Sequence, residues 1–160
     1  MMENEFHTVR GYQLLEQNKK MLTSAMEDYL EMIYRNSLQD GYLRMNKLAD
    51  LLNVRASSAS KMAQKLGELG LLNYERYGIV ILTQNGKEIG EFLLNRHNII
   101  ERFLKNIGMG DNILTETELI EHNISSDTLK CIDLLNLFLS ENKEWMEEFE
   151  KFKQKKLLTP

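Results

Sequence analysis

The sequence predicts a mainly α fold: a winged helix-turn-helix unit of three helices plus a two-stranded wing, followed by an all-helical domain. Three observations predict it. Apolar residues recur at helical spacing through most of the 160 residues. Two β-prone runs, 71–74 and 79–82, flank a short connection that contains a glycine. Just before them, a short helical stretch, a tight turn and a helix rich in serine and lysine follow one another in helix-turn-helix order.

Residues 1–22 leave two readings open. Phe6, Val9, Tyr12 and Leu15 recur at three-residue intervals, as in a short packing helix, whereas Gly11 and the Asn18-Lys19-Lys20 run suit a mobile basic arm. Ser24 followed by Glu27 is a capping-box pattern. It starts a helix over 25–36 whose apolar positions are Met26, Tyr29, Leu30, Ile33 and Tyr34, with Asp28 and Glu31 beside the stripe. Asp40-Gly41 marks a turn. A short helix spans 45–52, Asn53-Val54 forms the tight turn, and Ser57 or Ser58 caps the next helix, which stops at Gly70. In the wing, Gly78 supplies the positive φ that a tight hairpin needs, and Arg76 lies at the tip. Thr83 starts a long helix, about 85–107, ended by Gly108 and Gly110. Thr115 begins another, through about 123. Ser125-Ser126 caps one more, with Leu129, Ile132, Leu135 and Leu139 on one face, and the charged tail 141–156 carries Trp145, Phe149 and Phe152 at helical spacing. The organisation expected is an N-terminal extension (1–22), a winged-helix DNA-binding domain (23–82), a connecting helix (83–108) and a helical domain (109–160).

Charge sharpens this division. The chain carries −4 overall, but residues 44–90 carry +3 and residues 97–150 carry −8. A basic half faces phosphates readily; the acidic half calls for bound cations or a partner surface. One cysteine, Cys131, rules out an intramolecular disulfide framework and suits a reducing cytoplasm. No apolar run is long enough for a transmembrane helix, and the N-terminus does not read as a secretory signal.

A recognition helix must present short polar and cationic side chains from its first turns. Ser57, Ser58, Ser60, Lys61, Gln64 and Lys65 meet that need, and Ser57, Lys61, Gln64 and Lys65 share one face. Gln64 can pair with adenine, the lysines can reach guanine or phosphate, and Arg76 can enter the neighbouring minor groove or contact the backbone. Alone, such a face is an ordinary solvated surface; the turn before it and the hairpin after it favour DNA.

The second constellation is Asp28, Glu31, His97, Glu118, Glu121 and His122. Residues three and four apart share a helix face, so Asp28 with Glu31, and Glu118 with Glu121 and His122, each form a cluster. Oxygen and imidazole donors without sulfur suit Mn²⁺ or another oxygen-preferring divalent ion. No H-E-x-x-H or C-x-x-C motif points to zinc. Each cluster by itself reads as wet surface, and His7 lies outside the pattern. Their joint occurrence around a helix-turn-helix points to metal sensing.

MEDYLEMIY (26–34), SSASKMAQKL (57–66), LLNYERYGIVILTQNGKEIG (71–90), NRHNIIERFL (95–104) and ELIEH (118–122) together resemble the manganese transport regulator branch of the diphtheria-toxin-repressor family. The resemblance covers about residues 22–140. It implies a homodimeric, Mn²⁺-activated repressor of metal-uptake genes, not an enzyme, with residues 109–160 as its metal-binding and dimerisation domain and double-stranded operator DNA as its partner. No membrane and no small organic substrate is implied. Two Mn²⁺ ions per subunit are implied, with Fe²⁺, Co²⁺, Cd²⁺ or Zn²⁺ able to bind in vitro. Glu118 would bridge them, Glu121 and His122 completing one site and Asp28, Glu31 and His97 the other. The family's iron-sensing branch has methionine and cysteine where Asp28 and Glu118 stand, so oxygen at both places fits manganese. No counterpart of the longer iron sensors' C-terminal β-barrel is visible. The N-terminal extension is a departure from the short members, as is Ala56 in place of a frequent proline. Two alternatives stay open: a metal-independent winged-helix regulator, and a dinuclear metallohydrolase, since the same donors activate water.

Overall fold

The computed structural model describes the backbone of residues 2–18 and 21–157 and the side chains of residues 10–18, 21–75 and 77–156. It comprises two compact units, Met1–Asn95 and Arg96–Pro160. Their boundary falls within one long helix.

The first unit contains α1 (Met2–Asn18), α2 (Ser24–Ser37), β1 (Leu43–Arg44), α3 (Met45–Leu51), α4 (Ala56–Glu68), β2 (Leu72–Glu75), β3 (Ile79–Leu82) and the start of α5 (Gln84–Asn106). Of the stripe expected on α2, Met26, Tyr29, Leu30 and Ile33 are buried and Tyr34 is half-buried; the four join Leu48 of α3, Ala59, Ala63 and Leu66 of α4, Val80 of β3, and Ile89 and Leu93 of α5 in the core. The cap of α2 is Thr23, not Ser24. Thr23 is extended (φ −84°, ψ 161°), and its hydroxyl accepts from the Met26 N–H at 3.3 Å, which Ser24, already helical, is not placed to do.

Asn53 turns the chain between α3 and α4. It adopts φ 52°, a conformation its short polar side chain tolerates. The Leu52 and Val54 amides donate back to the Leu48 and Ala49 carbonyls at 3.1 and 3.0 Å. The next helix starts before the serines thought to cap it. Arg55 is its extended N-terminal flank, without a side-chain cap, so Ser57 and Ser58 fall inside the first turn.

The sheet has three antiparallel strands, ordered β1-β3-β2, where the sequence suggested two. Leu43 and Arg44 pair with Val80 and Ile79, and β2 runs against β3 from Leu72 opposite Leu82 to Glu75 opposite Ile79. A two-residue strand is too short to show period-two alternation, so β1 left no signal. Thr83 then leads into α5. Its hydroxyl donates to the Gly70 carbonyl at 2.7 Å and accepts from the Gly86 amide at 3.1 Å. A Cβ at Gly86 would lie 1.8 Å from the Leu71 carbonyl oxygen, so only glycine permits this approach.

The N-terminal extension is an ordered helix rather than an arm. Leu15 is buried, the Tyr12 and Phe92 rings lie 5.6 Å apart, and Arg10 Nε pairs with Glu88 Oε2 at 2.7 Å. A Cβ on Gly11 would come within 2.2 Å of the Glu88 carbonyl oxygen, so the residue that weakened the helical pattern is the one that lets α1 reach α5. Lys19 and Lys20, and the side chains of Phe6, His7 and Val9, lie outside the described residues.

The second unit contains the remainder of α5 with α6 (Ile113–Glu121), α7 (Ser126–Glu141) and α8 (Lys143–Leu157). Gly108 (φ 89°) ends α5. The next helix begins two residues before Thr115 and stops at Glu121, with His122 as its cap. Ser125 caps α7 by accepting from the Thr128 amide at 3.2 Å. Asn136, wholly buried, ties α7 to α5: its amide donates to the Ile99 carbonyl and its oxygen accepts from Asn106 Nδ2, each at 2.9 Å. The apolar stripe on α7 is split, since Leu129 is buried whereas Leu135 is exposed. No helix among the described residues is long and apolar enough to cross a membrane.

Candidate nucleic-acid interface and metal centre

The α4 helix buries one face and offers another. Ala59, Ala63 and Leu66 are wholly buried, while Ser57, Ser58, Lys61, Gln64 and Lys65 are exposed and Ser60 is half-buried. Small alanines against the core seat the helix closely on α2, α3 and β2, and the cationic and amide groups are left to solvent. Arg76 lies in a single 3-10 turn, Arg76–Gly78, that connects β2 to β3; its side chain is outside the described residues. The residue that projects from this turn is Tyr77, 92% exposed. The sequence reading placed Tyr77 in the connection and assigned the tip to Arg76, because a cation is the more familiar partner of phosphate.

In the second unit α5 supplies His97 and the end of α6 supplies Glu121 and His122. Glu121 is 2% exposed and His97 7%. A buried carboxylate requires compensating partners. His97 Nδ1 lies 3.0 Å from Glu121 Oε2. An ionised carboxylate only accepts, so a proton on Nδ1 would donate to it and leave Nε2 to face elsewhere. The other oxygen, Glu121 Oε1, lies 3.8 Å from His122 Nε2. One buried carboxylate thus addresses both imidazoles. Glu118, one turn earlier, is exposed. The two carboxylates of α6 therefore differ in setting: Glu121 is buried with both imidazoles in reach, whereas Glu118 is exposed.

Arg96 was missed by the sequence reading. It is buried and directs its guanidinium to His122 Nδ1 at 3.5 Å, the outer limit of a hydrogen bond. Its only sequence signal is adjacency to His97, since arginine on a helix ordinarily reads as surface.

In the first unit Asp28 and Glu31 lie one turn apart on α2. Glu31 is buried, and its Oε1 accepts from Arg35 four residues on. That i,i+4 pair gives the buried Glu31 carboxylate a cationic partner on its own helix, which the spacing of acids alone did not disclose.

Two family models match consecutive stretches of the chain. "Iron dependent repressor, N-terminal DNA binding domain" matches residues 21–80, and "Iron dependent repressor, metal binding and dimerisation domain" matches residues 83–149. The chain belongs to the iron-dependent repressor family. Within that family it falls in the manganese transport regulator branch. The HTH-type transcriptional regulator MntR of Oceanobacillus iheyensis is 45% identical over 120 residues, 74% of this chain and 82% of that protein. MntR of Shouchella clausii is 40% identical over 136 residues, 84% of this chain and 95% of that protein. Among solved structures, a manganese-dependent transcriptional repressor in complex with manganese is 32% identical with a TM-score of 0.63, covering 71% of this chain and 53% of that one. The manganese regulator SloR is 30% identical with a TM-score of 0.62, covering 71% and 54%. The chain spans about half the length of those two solved chains. The family consists of DNA-binding transcriptional regulators, not enzymes, so the metallohydrolase alternative is not favoured. The α1 helix precedes residue 21, where the first family match begins.

Proposed function

We propose that the chain is a cytoplasmic, manganese-responsive repressor of metal-uptake genes that binds double-stranded operator DNA as a homodimer. The observation that carries the metal half of this reading is the buried Glu121 carboxylate, shared by His97 at 3.0 Å and His122 at 3.8 Å. The donors are carboxylates and imidazoles without sulfur, which fit Mn²⁺ and also admit Fe²⁺, Co²⁺, Cd²⁺ or Zn²⁺. In this reading Asp28, Glu31, His97, Glu118, Glu121 and His122 would hold the ions, two per subunit.

A bound divalent ion supplies positive charge that lets these acids converge. The protein's own groups do the rest. Arg35 pairs with Glu31, Glu121 orients the His97 ring, and without a counter-charge the four carboxylates repel one another. Convergence joins α2 to the dimerisation domain and favours one geometry among those the free protein samples. Two copies of α4 are thereby set at a spacing of about one DNA turn, with Ser57, Lys61, Gln64 and Lys65 facing the major groove.

The test is a DNA-binding titration against Mn²⁺, Fe²⁺, Co²⁺ and Zn²⁺ on duplexes selected from a random pool by the Mn²⁺-loaded protein, with calorimetric stoichiometry. Binding should tighten with Mn²⁺, and Asp28→Met should relax selectivity toward Fe²⁺. Binding that ignores a chelator would overturn the reading in favour of a metal-independent regulator.

A further inference from the structure

Tyr77 combines two properties that rarely meet. Its backbone is left-handed (φ 64°, ψ 23°), and its side chain is 92% exposed. Among the described residues only Asn53 and Tyr77 reach positive φ without being glycine. Asn53 is of the type that tolerates this region; a bulky aromatic is not. The next residue, Gly78, holds φ 71°, so glycine at position 77 would make the same turn without strain. An exposed ring recovers almost nothing from packing inside the protein. A strained residue that contributes nothing to the fold points to a contact outside it.

We infer that Tyr77 is a DNA-contacting residue of the wing, its ring lying against deoxyribose at the edge of the groove and its phenolic O–H donating to a phosphate oxygen. The inference rests on the reading of the chain as a DNA-binding protein and assigns a residue to it. The turn that carries Tyr77 joins β2 to β3, and their four-residue register holds that turn at the end of a paired ladder. A phenol suits this role because it is apolar along its ring and a donor at its end. Phosphate and sugar contacts position a protein without reading sequence, so the contact should be felt on any duplex.

The experiment uses the full chain with Mn²⁺ and a duplex of random sequence of about 30 base pairs, at low salt where non-specific binding is measurable. Tyr77→Gly and Tyr77→Asn both remove the ring while accepting the left-handed backbone. Each should weaken binding by about fivefold or more, in the range of losing one aromatic contact to nucleic acid. Neither should lower the melting temperature, and Tyr77→Gly should raise it by a few degrees. The slope of log Kd against log salt should be unchanged, because a neutral phenol releases no counterion, whereas Arg76→Ala should reduce that slope by about one. Unaltered Kd in both variants would overturn the inference. So would a weakening seen with glycine but not with asparagine, which would make wing rigidity the cause. A fall in melting temperature in both variants would show the ring to be a packing group. If the unaltered protein binds no duplex under these conditions, the functional reading fails before Tyr77 is tested.

Discussion

The two units of this protein solve the burial problem differently. In Met1–Asn95, Leu30, Ile33, Leu48, Leu66, Val80, Ile89 and Leu93 are essentially inaccessible, drawn from the helices and the sheet alike. In Arg96–Pro160 the large apolar residues are mostly on the outside: Leu114, Leu119, Leu134, Leu137, Phe138, Trp145 and Phe152 are all about half-exposed or more. What is buried there is disproportionately polar, including Thr117, Glu121, Asn136, Arg96 and His97. The first unit is complete in its own core. The second leaves an apolar surface of the kind that marks an interaction site, as suits a match to a dimerisation domain.

The sharpest way to break this comparison is to charge the exposed face of α7. Leu134, Leu137 and Phe138 lie three and four apart, on one side of that helix. Leu134→Glu with Phe138→Glu should convert the protein to monomer by sedimentation, with helical content retained. A dimer that survives would show that α7 is not the covering surface. In the first unit the largest effect should come from the core. Leu30→Ala, at a wholly buried site, should lower unfolding free energy by about 2–5 kcal/mol. Leu134→Ala, at a site 66% exposed, should lie within about 0.5 kcal/mol in denaturant titration at a concentration where the protein is monomeric.

Smaller substitutions sharpen the contrast. Gly11→Val should cost about 1–3 kcal/mol, because α1 and α5 must separate to admit the side chain. An unchanged denaturation midpoint would mean that α1 is dispensable to the core. Gln64→Ala should cost about 1–3 kcal/mol on operator DNA and little on random duplex; equal weakening on both would remove its base-reading role. The smallest effect is alkaline. Burial and the nearby Glu91 carboxylate push the Tyr34 phenol above its ordinary 10.0. The folded state thus prefers the neutral phenol, so stability is intact below pH 10 and is lost as pH rises through the unfolded value. Tyr34→Phe should flatten unfolding profiles above that pH, and a slope identical to the parent would exclude this tyrosine as the cause.

Much of the first unit was legible because its signals are local. The α2 stripe, the α3–turn–α4 order and the hairpin each lie within a few residues of their own pattern, and the structure departs from them only at edges, such as Thr23 in place of Ser24. The N-terminal extension was ambiguous for a definite reason. Gly11 lowers helical propensity locally, and its compensation, the close approach to Glu88 and Phe92, comes from a helix far away in sequence. At the candidate metal centre, the residue types could be read but not their ranking. Glu118 and Glu121 look alike in sequence. Their difference, one exposed and one enclosed by His97 and His122, depends on where α6 ends.

Residue type and periodicity alone determined the class of this protein: where its helices run, which helix presents serine, lysine and glutamine, and that its candidate metal donors are oxygen and nitrogen. Those properties follow from side-chain chemistry and a 3.6-residue repeat, and neither needs a partner in space. Tertiary structure alone decided that Glu121 is buried beside both imidazoles while Glu118 is exposed, that Arg96 and Asn136 are buried, and that Tyr77 stands outward on a left-handed turn. Burial and backbone strain are set by what packs against a residue, and packing partners brought from distant parts of the chain leave no mark on the residues next to it.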